Sequence, residues 1–167
     1  HLQRLTKYAR SEYVLQHKGW NIKQFEKRGI DFVELCRLLG ERVCTINEIA
    51  EAIEPYVNSD GIIRKEDLFT HEVYNKQNFE SVELFNKLIQ NFLENLPSVW
   101  EKETLNLYFK STVTAWKIKL SQLAIPMRWI LLGKFESPAI DEVFVALGEQ
   151  EVKVRLKQFL AEEKHER

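Results

Sequence analysis

The chain has 167 residues, of which 44% are hydrophobic, with only six glycines and four prolines, so its composition supports a folded core and excludes intrinsic disorder. Its formal net charge of −1 excludes a protein that coats nucleic acid over its whole surface, because such proteins are strongly basic. No apolar run approaches the ~18 residues needed to cross a membrane, so no membrane partner is expected.

Two apolar stripes at helical spacing, over residues 33–39 and 46–53, predict the first clear helices. Gly40 is expected to end the first helix. A capping box of Thr45 and Glu48 is expected to begin the second, and Pro55 is expected to close it. Asn58 to Gly61 form the strongest turn signal of the chain, and a short helix is expected to begin at about Ile63.

The second half of the chain continues in the same way, with apolar stripes over residues 82–93, 105–113, 140–147 and 152–160. The expected start and stop signals are Ser98 with Glu101 as a capping box, Ser137 as an N-cap followed by Pro138 in the first helical turn, and Gly148 as a stop. No alternating strand pattern of comparable length occurs.

These elements predict an all-α protein. The turn at 58–61 and the polar stretch through Asn78 interrupt the apolar stripes, so two small helical subdomains are expected, over residues 1–72 and 73–167.

Charge is strongly segregated along the chain. Residues 104–135 contain five basic side chains and no acid, whereas residues 29–103 contain seven basic and fifteen acidic side chains. Aromatic residues are interleaved with the basic ones, and cations combined with flat rings are typical of surfaces that bind single-stranded nucleic acid. The basic residues of the run are Lys110, Lys117, Lys119, Arg128 and Lys134. The pattern favours a local contact with RNA phosphates.

Catalytic and metal-binding motifs are missing from this sequence. It contains no Gly-rich phosphate loop, no paired His or Cys motif and no nucleophile elbow. The four histidines lie far apart, and Cys36 and Cys44 have no neighbouring histidine, which fits neither a zinc site nor a disulfide framework. We therefore expect no catalytic residue and no metal ligand in this segment.

Residues 123–160 resemble the C-terminal end of the bacterial and organellar glutamyl-tRNA synthetases. The matching positions, at ungapped spacing, are Pro126-Met127-Arg128, Gly133, Ser137-Pro138 and Leu147-Gly148. A second block, residues 42–50, resembles the start of a helix in the same family. The match is good over about 30–56 and 96–160 and weak over 5–29 and 58–80.

The resemblance implies an all-helical, two-part anticodon-binding domain. Residues at matching positions that are expected to contact the anticodon loop are Arg42, Arg128, Ser137, Pro138, Ile140 and Lys110. Lys117, Lys119 and Lys134 are candidates for phosphate contacts. The sequence departs from the family at three positions. Ala139 stands where Gly is usual, Ser137 where Thr is common, and Lys110 where some relatives have Arg. The last change matters because lysine cannot form the paired hydrogen bonds of a guanidinium.

The resemblance also implies partners and a location. The expected partners are tRNA(Glu) and an upstream catalytic domain of the same chain, with no DNA. The two nucleotide-binding motifs of the family are absent, as expected if the catalytic half lies upstream of His1, so ATP and Mg would bind the parent enzyme and this segment would be inactive alone. The opening residues 1–5 look more like mitochondrial members, which indicates the mitochondrial matrix, with the bacterial cytoplasm as the alternative.

Other interpretations remain open at this point. A helical protein-interaction module without RNA binding would show the same amphipathic stripes. A small helix-turn-helix DNA binder is disfavoured, because the candidate helices are apolar or acidic. Arg42 could pair with a nearby acid, Arg128 could lie over the core, and Trp116 and Trp129 could be core residues. Whether the parent enzyme also charges glutamine tRNA is left undecided.

Overall fold

The computed structural model of the chain describes residues 7–41, 45–57 and 65–162. These residues contain eleven α-helices and no strand, which confirms the all-α prediction. The helices are α1 (Lys7–Lys18), α2 (Ile22–Glu26), α3 (Phe32–Gly40), α4 (Ile46–Val57), α5 (Lys65–Phe69), α6 (Glu72–Asn75), α7 (Val82–Glu94), α8 (Lys102–Trp116), α9 (Leu120–Leu132), α10 (Ile140–Leu147) and α11 (Glu149–Glu162). The turn predicted at 58–61 and the helix start at Ile63 lie outside the described residues.

The first two predicted helices are confirmed as α3 and α4, and both begin with a side-chain cap. The Asp31 side chain accepts a hydrogen bond from the Glu34 backbone N–H at 3.1 Å. Thr45 Oγ1 accepts from the Glu48 backbone N–H at 3.1 Å, which is one half of the predicted capping box. Helix α3 ends at Gly40 as predicted. Capping of this kind satisfies backbone donors that have no partner within the helix.

The prediction that Pro55 closes α4 is wrong, because the proline lies inside the helix, which continues to Val57. The carbonyls of the last turn of a helix have no partner within it, so this turn needs support from elsewhere. Two arginines provide it. Arg155 donates to the carbonyls of Pro55 and Tyr56, each at 2.7 Å, and Arg28 donates to the carbonyl of Val57.

Two predicted helix starts are displaced by long-range contacts. Helix α8 begins at Lys102 and not after Ser98, because Trp100 is held by the core: its Nε1 donates to the Phe144 carbonyl at 2.8 Å and its ring stacks on Phe144. Helix α10 has Ala139 as its N-cap residue in place of the predicted Ser137, whose hydroxyl bonds elsewhere. Its end at Gly148 agrees with the prediction.

Buried side chains from both halves of the chain belong to one hydrophobic cluster. Helix α10 lies at its centre and contacts α3, α8, α9 and α11, while α11 also packs on α7. The division into two subdomains between residues 72 and 73 stays a prediction.

Gly148 lies where the backbones of two turns approach each other closely. Its φ of +84° is a conformation that other residues rarely adopt, and a Cβ there would lie 2.5 Å from the carbonyl oxygen of Gly29. The turn between α10 and α11 therefore packs directly on the turn between α2 and α3, and only glycine permits this contact.

A buried ionic network joins α11 to the ends of α4 and α9. Glu151 and Arg155 are 4% and 5% exposed, and Arg155 Nε donates to Glu151 Oε1 at 2.9 Å. Arg28 donates to the same carboxylate at 2.5 and 3.2 Å. Besides its bonds to α4, Arg155 donates to the carbonyl of Leu131 in α9 at 2.5 Å. One guanidinium thus ties together the carboxyl ends of two helices.

We predict that Glu151→Ala destabilises the fold by about 3–5 kcal/mol, because it leaves the buried Arg155 cation without its carboxylate. Chemical unfolding followed by circular dichroism measures the change. Glu149→Ala is the matched control on the same helix: its pair with Lys153 is exposed, so its loss should cost less than about 1 kcal/mol. Equal costs for the two variants would contradict this view of the network.

Acid should weaken the network in a defined direction. Burial raises the pKa of Glu151, but the hydrogen bonds and charges of Arg28 and Arg155 outweigh burial and hold it below its ordinary value of 4.5. Since the folded-state pKa is depressed, the stabilisation is complete above pH 4.5 and is lost as the pH falls through the folded-state value.

The stability difference between the native chain and Glu151→Gln should accordingly shrink as the pH is lowered below 4.5. Urea unfolding midpoints of both proteins across the acid range measure this difference. A difference that stays constant with pH would show that the charge of Glu151 contributes nothing.

Candidate nucleic-acid interface

A cleft of about 230 Å³ lies between α3 and α4 on one side and the connection between α9 and α10 on the other. Its first wall is formed by Leu39, Ala52, Pro55 and Tyr56, and its second by Leu132, Lys134, Glu136, Ser137 and Pro138. The two parts of the sequence that carry the family resemblance thus meet in one place. The walls are largely apolar, and the polar groups come mainly from the α9–α10 connection.

The α9–α10 connection, residues 133–139, has a defined shape. Gly133 ends α9 in the left-handed conformation at φ 72°, and its N–H donates to the Trp129 carbonyl at 2.8 Å. Arg128 Nε donates to Ser137 Oγ at 2.7 Å, and the Ser137 hydroxyl donates to the Pro138 carbonyl at 2.7 Å. The Arg128–Ser137 bond folds the connection back onto α9.

The structure brings together several residues that were predicted from the resemblance. Ser137 and Pro138 line the cleft, and Arg128 contacts it through Ser137. Ile140 is 5% exposed and packs in the core beneath the surface. Arg42 lies outside the described residues, in the segment that connects the two helices of the first wall.

The four lysines of the acid-free run are all exposed. Lys110 lies on α8, Lys117 follows α8, Lys119 precedes α9, and Lys134 lines the cleft. Within the described part of the chain, none of these lysines forms an ion pair. Lys117 is the C-cap residue of α8, with a left-handed backbone at φ 56°, so it lies at the carboxyl end of the helix that carries Lys110. Exposed, unpaired cations suit a phosphate backbone.

The aromatic residues of the basic run are engaged in packing, contrary to the expectation that they present flat faces to bases. Phe109 is 1% exposed. The Tyr108 hydroxyl donates to the Phe92 carbonyl at 2.7 Å, and burial raises the pKa of Tyr108 to about 12. Trp129 stacks on Phe135 at 4.6 Å. The interpretation of Trp129 as a packing residue is therefore favoured.

Six cleft residues were not predicted as site residues from the sequence, namely Leu39, Ala52, Pro55, Tyr56, Leu132 and Glu136. Pro55 was taken only as a helix stop and Tyr56 was not singled out, although its place three residues after Ile53 puts it on the buried stripe of α4. Glu136 is the first acid after the basic run, and this was the only local signal for it.

The described residues contain no group of three or more His, Cys, Asp or Glu side chains that could hold a metal ion. Among the helices described, none combines the length and apolar character that crossing a bilayer requires.

Comparisons with known proteins give a matching family profile and similar chains. A family profile described as an anticodon binding domain matches residues 3–160. The chain is 29% identical over 137 residues to the glutamate–tRNA ligase of Janthinobacterium sp. (strain Marseille), a match that covers 80% of this chain and 27% of the relative. It is 30% identical over 125 residues to that of Nitrosomonas eutropha, covering 74% and 25%.

A solved structure shares the fold. The crystal structure of a glutamate tRNA ligase from Elizabethkingia meningosepticum superimposes with a TM-score of 0.73 at 16% identity, over 95% of this chain and 30% of the other. This chain spans about a quarter of the length of the curated relatives that it matches.

Proposed function

This chain belongs to the anticodon-binding-domain family, and on that premise we propose that its cleft and exposed lysines bind the anticodon loop of a transfer RNA. The family match and the glutamate–tRNA ligase relatives confirm the resemblance to glutamyl-tRNA synthetases that the sequence motifs indicated. The finer points, namely which tRNA binds and which residues contact it, are proposals.

One observation carries the proposal: an apolar cleft lies beside a polar loop, and among the described residues the exposed lysines of the basic run form no ion pair. Proteins recognise single-stranded RNA loops in two ways. Unstacked bases pack against flat or apolar surfaces, and the edges of the bases form hydrogen bonds with the protein. Pro55, Leu132 and Pro138 supply apolar surface, and Lys134 and Glu136 supply a donor and an acceptor. Phosphate contacts of Lys117 and Lys119 would position the loop without reading its sequence.

We infer a parent enzyme that joins glutamate to tRNA(Glu) with ATP and Mg, through an upstream catalytic domain of the same chain. This segment would then supply anticodon recognition and be inactive alone. The relatives reported above are bacterial. A mitochondrial location therefore rests on the opening residues alone, and bacterial cytoplasm is the competing proposal.

A titration with synthetic RNA hairpins tests the proposed function. A gel shift compares a hairpin that carries the glutamate anticodon loop with one that carries the glutamine anticodon loop on the same stem. Binding of the glutamate hairpin supports the proposal. If neither hairpin binds at physiological salt, the chain is better explained as a helical protein-interaction module.

Charge reversal at the α8–α9 junction should weaken RNA binding without changing sequence preference. We predict that Lys117→Glu with Lys119→Glu lowers the affinity for all hairpins alike, because phosphate contacts carry no base information. The slope of log affinity against log salt should also fall, since each lost phosphate contact removes about 0.7 released counterions for single strands. The matched control is Lys76→Glu with Lys87→Glu, two exposed lysines in the acidic part of the chain. Affinity that does not depend on salt would argue against phosphate binding.

Arg128 should matter for affinity more than for folding. We predict that Arg128→Ala lowers affinity by roughly fivefold to a hundredfold, the range for a good base contact, while helical content by circular dichroism is unchanged. Ser137→Ala removes the Arg128–Ser137 hydrogen bond but keeps the guanidinium, so it should have the smaller effect. Loss of folding in Arg128→Ala would assign Arg128 a structural role only.

Arg42 is proposed to read the third anticodon base. Glutamate anticodons end in cytosine, whose ring nitrogen and carbonyl accept hydrogen bonds from a guanidinium, whereas guanine in glutamine anticodons presents donors. Glutamine at this position offers one donor and one acceptor. Arg42→Gln should therefore reduce the preference for the glutamate hairpin. The loss of discrimination free energy should be at most about 1–3 kcal/mol, measured as the ratio of affinities for the two hairpins. An unchanged ratio would place specificity elsewhere.

A further inference from the structure

Three aromatic side chains from distant parts of the chain form a cluster behind the α9–α10 connection. Phe135 stacks on Trp129 of α9 with ring centroids 4.6 Å apart and planes at 22°. His71, from the turn between α5 and α6, contacts Phe135 at 4.6 Å and Trp129 at 5.4 Å. We call these three residues the aromatic brace. All three are half-buried.

The brace acts on the middle of the connection that lines the cleft. Lys134 and Glu136 line the cleft, whereas Phe135, which stands between them, lies in the brace. The backbone bends at Phe135, so the placement of its ring influences the direction of the residues on either side. Fixing Phe135 on one side of the connection therefore holds Lys134 and Glu136 towards the cleft.

His71 is itself held firmly. Its Nδ1 accepts the Val73 backbone N–H at 3.1 Å, which caps α6. The segment after α6 is tied to the start of α9, because Gln122 Nε2 donates to the Gln77 carbonyl at 2.5 Å. The His71 ring thus has a fixed position relative to α9, and it closes the brace over Phe135.

We propose that His71 and Phe135 are positioning residues for RNA binding, which act through the direction of Lys134 and Glu136. The proposal rests on the proposed function of the cleft. His71 does not line the cleft, so its effect on RNA is indirect. Direct stacking of a base on the brace is the competing explanation, and it is disfavoured because the rings already cover one another.

The test is a double-mutant cycle with RNA affinity as the readout. His71→Asn removes the ring, and asparagine is itself a favoured N-cap residue for α6. We expect a loss of affinity on the order of two- to tenfold, the value of a lost aromatic pair. In a Lys134→Ala, Glu136→Ala background the same change should have almost no further effect, because the side chains that it positions are gone.

Two controls separate positioning from general stability. Phe135→Tyr keeps the stacked ring and should retain native affinity. Phe79→Ala removes another half-buried ring, which stacks on Tyr74 away from the connection, and it should leave affinity unchanged at temperatures where the variant is folded. An effect of His71→Asn that persists in full in the Lys134→Ala, Glu136→Ala background, or no effect in the native background, would overturn the proposal.

A measurement without RNA distinguishes failure of this proposal from failure of the proposed function. Fluorotryptophan NMR, with the Trp129 signal assigned through Trp129→Phe, reports the brace in the free protein. His71→Asn should shift that signal and speed amide exchange at Lys134 and Glu136. If the native chain binds no hairpin, the proposed function fails, and the positioning of the connection is judged by this measurement alone. Unchanged NMR and exchange data would refute the brace.

Discussion

The cleft depends on one buried guanidinium. Every helix ends with carbonyls that have no partner inside it, and where such an end is buried, water is not available to satisfy them. Here the ends of α4 and α9 are both buried, and Arg155 donates to a carbonyl of each. Burial lowers the pKa of Arg155, which the hydrogen bond and charge of Glu151 partly offset. Arg28 shares the same carboxylate and holds the last carbonyl of α4. These two helix ends lie on opposite walls of the cleft, so the same guanidinium links the two walls.

The charge layout explains how a nearly neutral chain can offer a binding surface to RNA. Fifteen of the 25 acids lie in residues 29–103, where several form pairs such as Arg37 with Glu34 and Glu41. The lysines of the acid-free run remain exposed and lack such pairs within the described residues. A phosphate backbone would therefore meet locally positive potential at these lysines and repulsion from the acidic residues of 29–103, which favours local binding over general coating.

The sequence predicted those parts of the fold that depend on local patterns. Apolar stripes were enough to predict α3, α4, α7, α10 and α11, because helix periodicity is determined within a few residues. Predictions failed where a residue has a distant partner: Trp100 bonds to Phe144 and moves the start of α8, and Ser137 bonds to Arg128 and so cannot cap α10. The resemblance identified residues on the second wall of the cleft. It did not predict that Ile140 and the aromatic rings of the basic run are packed inside the fold, because this depends on tertiary contacts. The network of Arg28 and Glu151, which lie 123 positions apart, left no signal in the sequence.

Mapping the RNA contact surface by amide NMR tests whether the cleft and the exposed lysines bind the anticodon loop. The chain is titrated with the glutamate anticodon hairpin, and shifts are followed residue by residue. We expect the largest amide shift changes on the α9–α10 connection, at Lys134, Glu136 and Ser137, and at Lys117 and Lys119. A separate cleft of about 500 Å³ between α7 and α11, lined by Gln90 and Lys157 among others, serves as an internal control and should stay unchanged. Changes centred on that cleft, with the α9–α10 connection unaffected, would contradict the account.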